Sequence, residues 1–271
     1  MRNICLTIAY DGTSYHGFQR QPQFHGPTIQ GTLERVWEAL AGEKIQVHTA
    51  GRTDTGVHAK GLVVNFLSQT RIPEEKIPKA FNSLLPRDIR ILGALNERPE
   101  FHARFSARWK RYDYQIDNRP IPDVFQRRYA LHEPLRLRLE AMAEAAVLLE
   151  GRHDFRAFAA AGGASKTFER TLYICRVADG ENGLLTVTCA ADGFLYHMVR
   201  IFVGTLLEVG RGKIPVERVA GILAGGERKK AGETAPAHGL TLVHVHYGEE
   251  LPWEVYPDLK GGAGKRNGGT K

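Results

Sequence analysis

The chain has 271 residues, 42% of them hydrophobic and 25% charged, which suits one large packed domain or two ordinary ones and excludes a disordered chain. Lys and Arg outnumber Asp and Glu by 37 to 30, and the net charge of +7 with a pI near 9.4 favours a polyanionic partner, because basic faces gain affinity by neutralising phosphates. No uncharged apolar stretch is long enough to span a bilayer and no signal peptide precedes the first strand, so a cytoplasmic protein without membrane contact is expected. The three cysteines, Cys5, Cys175 and Cys189, are widely spaced and form no CxxC pair, which excludes a disulfide framework and a zinc ribbon. They read as small core residues in a reducing compartment.

Strand-like alternation over 4–10 stops at the Asp11-Gly12 turn. Ile29, Leu33, Val36, Trp37 and Leu40 share one face of a helix predicted over 28–41, with Pro27 and Thr28 at its start. Strands over 44–50 and 61–67 bracket the loop GRTDTGVHA, residues 51–59. A second amphipathic helix follows Pro73, with Ile77, Ala80, Phe81 and Leu84 inward, and a strand over 89–95 completes β-α-β-β-α-β. The second half repeats the order: a strand over 111–117, a helix over 135–149, and strands over 171–178 and 184–190. Helices over 194–209 and 216–224 and a closing strand over 239–247 complete it. The fold class is α+β, two tandem ferredoxin-like halves with a mainly antiparallel sheet flanked by helices. One half covers 1–106, the other 107–248, and an extension over 249–271 ends in a Gly-rich basic tail from Lys260 that is expected to be flexible.

Asp54 stands in the loop between two strands, with Arg52 two residues before it and His58 four after. The glycines at 51 and 56 allow tight turns and close approach of a ligand. That makes Asp54 a candidate reactive acid, although a turn aspartate can equally bond its own backbone, and local chemistry leaves both readings open. Arg200 adds weight, because it sits in a segment apolar on nearly every side, where a guanidinium needs an acid, carbonyls or an anion. Asp54 is the natural acid; a position at the helix rim, reaching water, is the alternative. Tyr112 and Tyr114 share one face of a strand preceded by Trp109, Lys110 and Arg111, a mixture that suits base stacking beside a phosphate, with one of the two tyrosines assigned to the core. Arg104 and Arg108 in the preceding stretch read as a phosphate-binding edge. His244 and His246 share a strand face but lack a third ligand, so no metal site is expected, and no nucleotide-cofactor motif occurs.

Tyr10-Asp11-Gly12-Thr13-Ser14-Tyr15-His16-Gly17-Phe18-Gln19, GRTDTGVHA at 51–59 and FHARFSA at 101–107 together resemble the TruA family of tRNA pseudouridine synthases. Phe194-Leu195-Tyr196-His197-Met198-Val199-Arg200 and Ala235-Pro236-Ala237-His238-Gly239-Leu240 extend the match, in the family's order, across residues 4–247. The resemblance implies a pseudouridine synthase fold, Asp54 as the catalytic aspartate, and Tyr112, Arg200 and Arg52 as substrate-binding residues. It further implies tRNA as partner, uridines 38, 39 and 40 of the anticodon arm as targets, a homodimer, and no cofactor or metal. Ile201 and Asp192-Gly193 depart from the family's pattern, away from the proposed chemistry.

Such an isomerisation breaks the N1–C1′ bond, turns the uracil and joins C5 to C1′, so no atom is gained or lost. Asp54 then acts as a nucleophile or as a base on the sugar, and Tyr112 or a water it positions accepts the C5 proton. Two other classes compete. A non-catalytic RNA-binding module would explain the charge and aromatics but not the Arg52–Asp54 loop; a metal-dependent nuclease would require clustered carboxylates that this loop does not offer.

Overall fold

The structure, a computed structural model, describes residues 1–21 and 26–259, and the tail predicted to be flexible lies outside them. The fold is α+β with mainly antiparallel strands flanked by helices. Its chain divides into two compact units, residues 1–112 with 237–248, and residues 113–236 with the segment from 249. Among the described residues no helix is long and apolar enough to cross a membrane.

The first unit runs β1 (Arg2–Tyr10), α1 (Ile29–Ala41), β2 (His48–Thr49), β3 (His58–Ser68), α2 (Ile77–Leu84) and β4 (Ile89–Glu97), the β-α-β-β-α-β order read from the sequence. It then enters β5 (Trp109–Asp117), which ends in the second unit. Antiparallel pairing joins β1 to both β3 and β4. Helix α1 starts where Thr28 Oγ1 accepts from the Gly31 N–H at 3.2 Å, and it ends at Gly42 in the left-handed region. Its inner face carries Trp37, packed on Phe66 (ring centroids 4.9 Å) and Phe81 (5.1 Å).

Two details differ from the sequence reading. Only His48 and Thr49 of the stretch 44–50 pair as a strand, because the Val47 N–H and carbonyl are taken by Glu34 and Gln30 of α1. Leu84, expected inward, is 52% exposed, since the helix ends there and extended Leu85, preceding Pro86, turns into the core instead.

The second unit contains β6 (Leu131–His132), α3 (Leu139–Val147), β7 (Gly151–Asp154), β8 (Glu169–Asp179), β9 (Leu184–Ala191), α4 (Met198–Gly210) and α5 (Glu217–Gly225). β8 pairs antiparallel with β7 and β9. Phe202 of α4 meets Phe155 and Phe158 edge-on at 5.6 and 4.9 Å to form the core. Helix α4 begins four residues later than the apolar run indicates. His197 has φ +61°, outside helical space, so Leu195–Met198 form a turn, closed by the Met198 N–H to Leu195 O at 3.1 Å, and Arg200 falls in the helix's first turn. The strand predicted over 239–247 is β10 (Leu240–His246), which pairs parallel with β3 in the first unit. All three cysteines are buried and form no disulfide, with Cys175 Sγ 3.8 Å from Cys189 Sγ, and burial with the charge of Glu97 pushes the Cys5 thiol up to about 12, in keeping with a core role.

Asp117, buried at the end of β5, accepts from Arg119 Nε (2.6 Å) and Nη2 (2.9 Å) and from the Asp123 N–H (2.8 Å). Arg119's hydrogen bonds hold its carboxyl down at about 2, against the opposing effect of burial. A depressed folded value means the stabilisation is present above the unfolded pKa of about 3.9 and is lost as pH falls through about 2. Asp117→Asn is therefore expected to cost on the order of 1–2 kcal/mol at neutral pH in urea titrations, with the difference from the parent shrinking toward pH 2.

Candidate active site

The loop between β2 and β3 is held from below by the segment that follows β1. Phe18 N–H donates to Thr53 O at 3.1 Å, and Tyr10 Oη lies 2.8 Å from Thr53 Oγ1. Two glycines make this approach possible. A Cβ on Gly12 would lie 2.0 Å from the Val57 carbonyl oxygen, and one on Gly17 would lie 2.7 Å from Thr53 O, with Gly17 at φ +77°. Any side chain at either position would push the two backbones apart. Within the loop, Asp54 O accepts from the Val57 N–H at 3.1 Å, closing a turn that needs Gly56 at φ +81°. Asp54 itself is half-buried and Arg52 is exposed.

Lys110 and Tyr112 reach the loop from β5, on the face opposite Trp109. A Cβ on Gly51 would meet Tyr112 Oη at 3.6 Å and Lys110 Cδ at 3.8 Å, ordinary contact distances, so the phenol tip and the lysine stem lie beside this glycine. Tyr112 is 7% exposed. Burial pushes its phenol well above the usual tyrosine range, and Tyr10 and the charge of Asp54 add to the effect. Asp54 and Tyr112 are thus electrostatic neighbours, and Tyr112 is a neutral phenol at physiological pH. Tyr114, in the second unit, is fully buried and donates to Pro236 O at 2.8 Å, which makes it the core member of the pair.

His58 was placed beside Asp54 by sequence alone, but the fold uses it as a fastener. Its Nδ1 accepts from the Gly12 N–H at 3.1 Å, and its Nε2, carrying the proton in that tautomer, reaches His238 O at 3.1 Å. Asp11 Oδ1 lies 3.2 Å from the same Nδ1. His58 therefore ties β3 to the turn after β1 and to the chain entering β10. Tyr10 and Thr53 are supporting residues that sequence reasoning missed, and for His58 it missed the fastening role. The signal that could have found them is the Gly12 and Gly17 pair, whose spacing implies a backbone packed against another backbone.

Arg200 belongs to the second unit, where it is half-buried rather than enclosed. Its Nε donates to Ala235 O at 2.7 Å while its own carbonyl accepts from the Ala235 N–H at 3.1 Å, so the guanidinium takes a carbonyl partner, one of the options expected. The 231–235 segment that supplies Ala235 packs directly on α4. A Cβ on Gly204 would lie 1.7 Å from Glu233 O, and Thr205 Oγ1 accepts from the Gly232 N–H at 2.9 Å. His244 and His246 flank the buried Trp109, with the His246 ring stacked on it at 4.7 Å and an interplanar angle of 17°.

Gly12→Ala is expected to lower stability by about 2 kcal/mol or more, since the added methyl overlaps a backbone carbonyl that no rotamer can move. Thermal denaturation beside Gly93→Ala, a glycine outside the left-handed region whose added Cβ meets nothing within 4 Å, checks this. A smaller loss for Gly12→Ala than for Gly93→Ala would contradict the packing account.

The chain matches the sequence model of the tRNA pseudouridine synthase family over residues 6–106 and 145–248. A protein of Moorella thermoacetica named tRNA pseudouridine synthase A is 50% identical over 243 residues, which span 89% of this chain and 98% of that protein. A protein of the same name from Syntrophomonas wolfei is 46% identical, with 92% of this chain and 99% of that one covered. One from Chloroflexus aurantiacus is 44% identical, with 100% and 96% covered. Both segments of the family match, one holding the Asp54 loop and the other Arg200, lie in register on a single chain, and this chain belongs to the tRNA pseudouridine synthase family.

Proposed function

We propose that this protein isomerises uridine to pseudouridine in tRNA, at positions 38, 39 and 40 of the anticodon arm, with Asp54 as the catalytic carboxylate. The observation that carries the reading is one half-buried aspartate, on a loop packed against a second backbone, with a buried tyrosine as its electrostatic neighbour, in a chain of this family. The target uridine must leave the helix to be reached, at a cost of roughly a few kcal/mol in stacking and pairing. Contact with Tyr112 offsets part of that cost. Asp54 supplies the carboxylate, as nucleophile or as base on the sugar. Because Tyr112 is held as a neutral phenol it is a weak base, which favours a water positioned by Tyr112 as the acceptor of the C5 proton. Arg200 and Arg52 are assigned to substrate binding, on the strength of the motifs in which they stand. A binding module without chemistry would have no use for the Asp54 turn.

The remaining elements of the reading are a cytoplasmic location and a homodimer. Three buried cysteines that form no disulfide support a reducing compartment. Support for the dimer comes from β4, at the end of the first unit's strand order, which exposes Leu92 (57%) and Leu95 (58%). An edge strand carrying leucines is a surface that a second copy of the chain would cover.

Incubation with an unmodified tRNA transcript, followed by carbodiimide mapping, is expected to give resistant adducts at positions 38–40 where uridine occurs. Adducts confined to other arms would contradict the anticodon assignment, and none at all would contradict the activity. Sedimentation is expected to give about twice the 30.2 kDa chain mass, falling to one chain for Leu92→Arg/Leu95→Arg; a monomeric parent would end the dimer proposal.

A further inference from the structure

The FHARFSA stretch does something that the catalytic reading leaves unused. Its backbone is fixed from below by buried polar groups: Asn3 Nδ2 donates to Phe101 O at 2.9 Å and to Arg98 O at 3.0 Å, and Asn65 Oδ1 accepts from the Ala103 N–H at 2.9 Å. Tyr247 Oη donates to Ala103 O at 2.8 Å. Inside the loop, His102 N–H donates to Ser106 Oγ at 3.1 Å and Ser106 N–H returns a bond to His102 O at 2.9 Å. Every bond in this set holds the loop in one shape. At its crest stands Phe105, 77% exposed. A large apolar side chain left in water on so constrained a loop gains nothing for the fold.

Phe105 is also the outer member of a column of rings. His102 lies 4.4 Å from it and His48 lies 4.9 Å from His102, at tilts of 38° and 43°. His102 Nδ1 accepts from the Arg104 N–H at 3.1 Å, which leaves that nitrogen unprotonated. Burial, then the neighbouring His48, lowers the His102 pKa in agreement. His102 is therefore held toward its neutral form, and Arg104 and Arg108 supply the positive charge beside Phe105. The Arg104 guanidinium carbon lies 5.7 Å from the Phe105 ring centroid, and exposed Arg108 follows on a backbone fixed by its bond to His246 O at 2.8 Å.

We propose that Phe105 is a stacking platform for an unpaired base of the RNA, with Arg104 and Arg108 holding the flanking phosphates. A solvent-exposed aromatic ring beside cations is the combination that single-stranded nucleotides require, whereas a protein surface would be met by apolar neighbours around Phe105 rather than by arginines. The choice of RNA as occupant rests on the synthase reading; the rigid aromatic platform stands without it.

The test measures binding of an unmodified tRNA transcript by fluorescence anisotropy for the parent, Phe105→Leu and Phe105→Trp. Loss of a base stack corresponds to roughly 5- to 100-fold weaker binding for Phe105→Leu, and Phe105→Trp is expected to restore parent affinity. Equal dissociation constants for Phe105→Leu and the parent would overturn the proposal. So would a fall in melting temperature for Phe105→Leu, which would make the residue a packing element, or a change in sedimentation without RNA, which would assign it to a contact between copies. Pseudouridine formation by the parent is scored separately. Product with unchanged Phe105→Leu binding sinks the platform alone, while no product with weakened binding sinks the synthase reading alone.

Discussion

The site depends on one constraint, the direct contact of two backbones. The segment after β1 lies so close to the Thr53–Val57 loop that no Cβ fits at Gly12 or Gly17. That closeness brings Phe18 N–H to Thr53 O, Tyr10 Oη to Thr53 Oγ1 and the Gly12 N–H to the His58 ring. A loop carrying a reactive acid would otherwise sample many shapes, with conformational entropy opposing each. Here Thr53 and His58, on either side of Asp54, are bonded to β1 or to the segment after it, which restricts the shape of the loop that carries the carboxylate.

The second unit fastens Arg200 by the same means. Gly204 of α4 allows Glu233 to pass at backbone distance, Thr205 Oγ1 takes the Gly232 N–H, and Ala235 then meets Arg200 through two hydrogen bonds. Arg228 adds bonds to Gly232 O at 2.8 Å and Thr234 Oγ1 at 3.2 Å, holding the segment from its far side. In each unit a close approach of two backbones, reinforced by side-chain hydrogen bonds, holds the segment that carries the charged residue.

Much of this was legible in the sequence because periodicity reports burial directly. The inward face of α1, the strands β8 and β9, and the α+β class follow from apolar spacing alone. The Asp54 loop was legible as a glycine-bounded connection between two strands. What was not legible were features set by hydrogen bonds between distant residues. Nothing in residues 44–47 announces that Gln30 and Glu34 of the helix will claim the Val47 backbone and leave a two-residue strand. Hydrophobicity ran the last long helix back through Phe194, whereas a single left-handed residue, His197, sets its true start. His58 carried the right chemistry for a reacting group, yet its partners, Gly12 and His238, lie 46 and 180 residues away. Tertiary bonding of that range overrides local pattern, and only the glycines hinted at it.

The central claim is that the Asp54 carboxylate does the chemistry while the rest of the loop merely holds it. The most direct measurement is release of tritium from C5 of labelled uridine in tRNA under single-turnover conditions, with tRNA affinity and melting temperature followed in parallel. Asp54→Asn keeps the shape of the side chain and removes its charge. The account requires that it release no tritium above background while binding tRNA within a few-fold of the parent and melting at a similar temperature. Release by Asp54→Asn at close to the parental rate would contradict it.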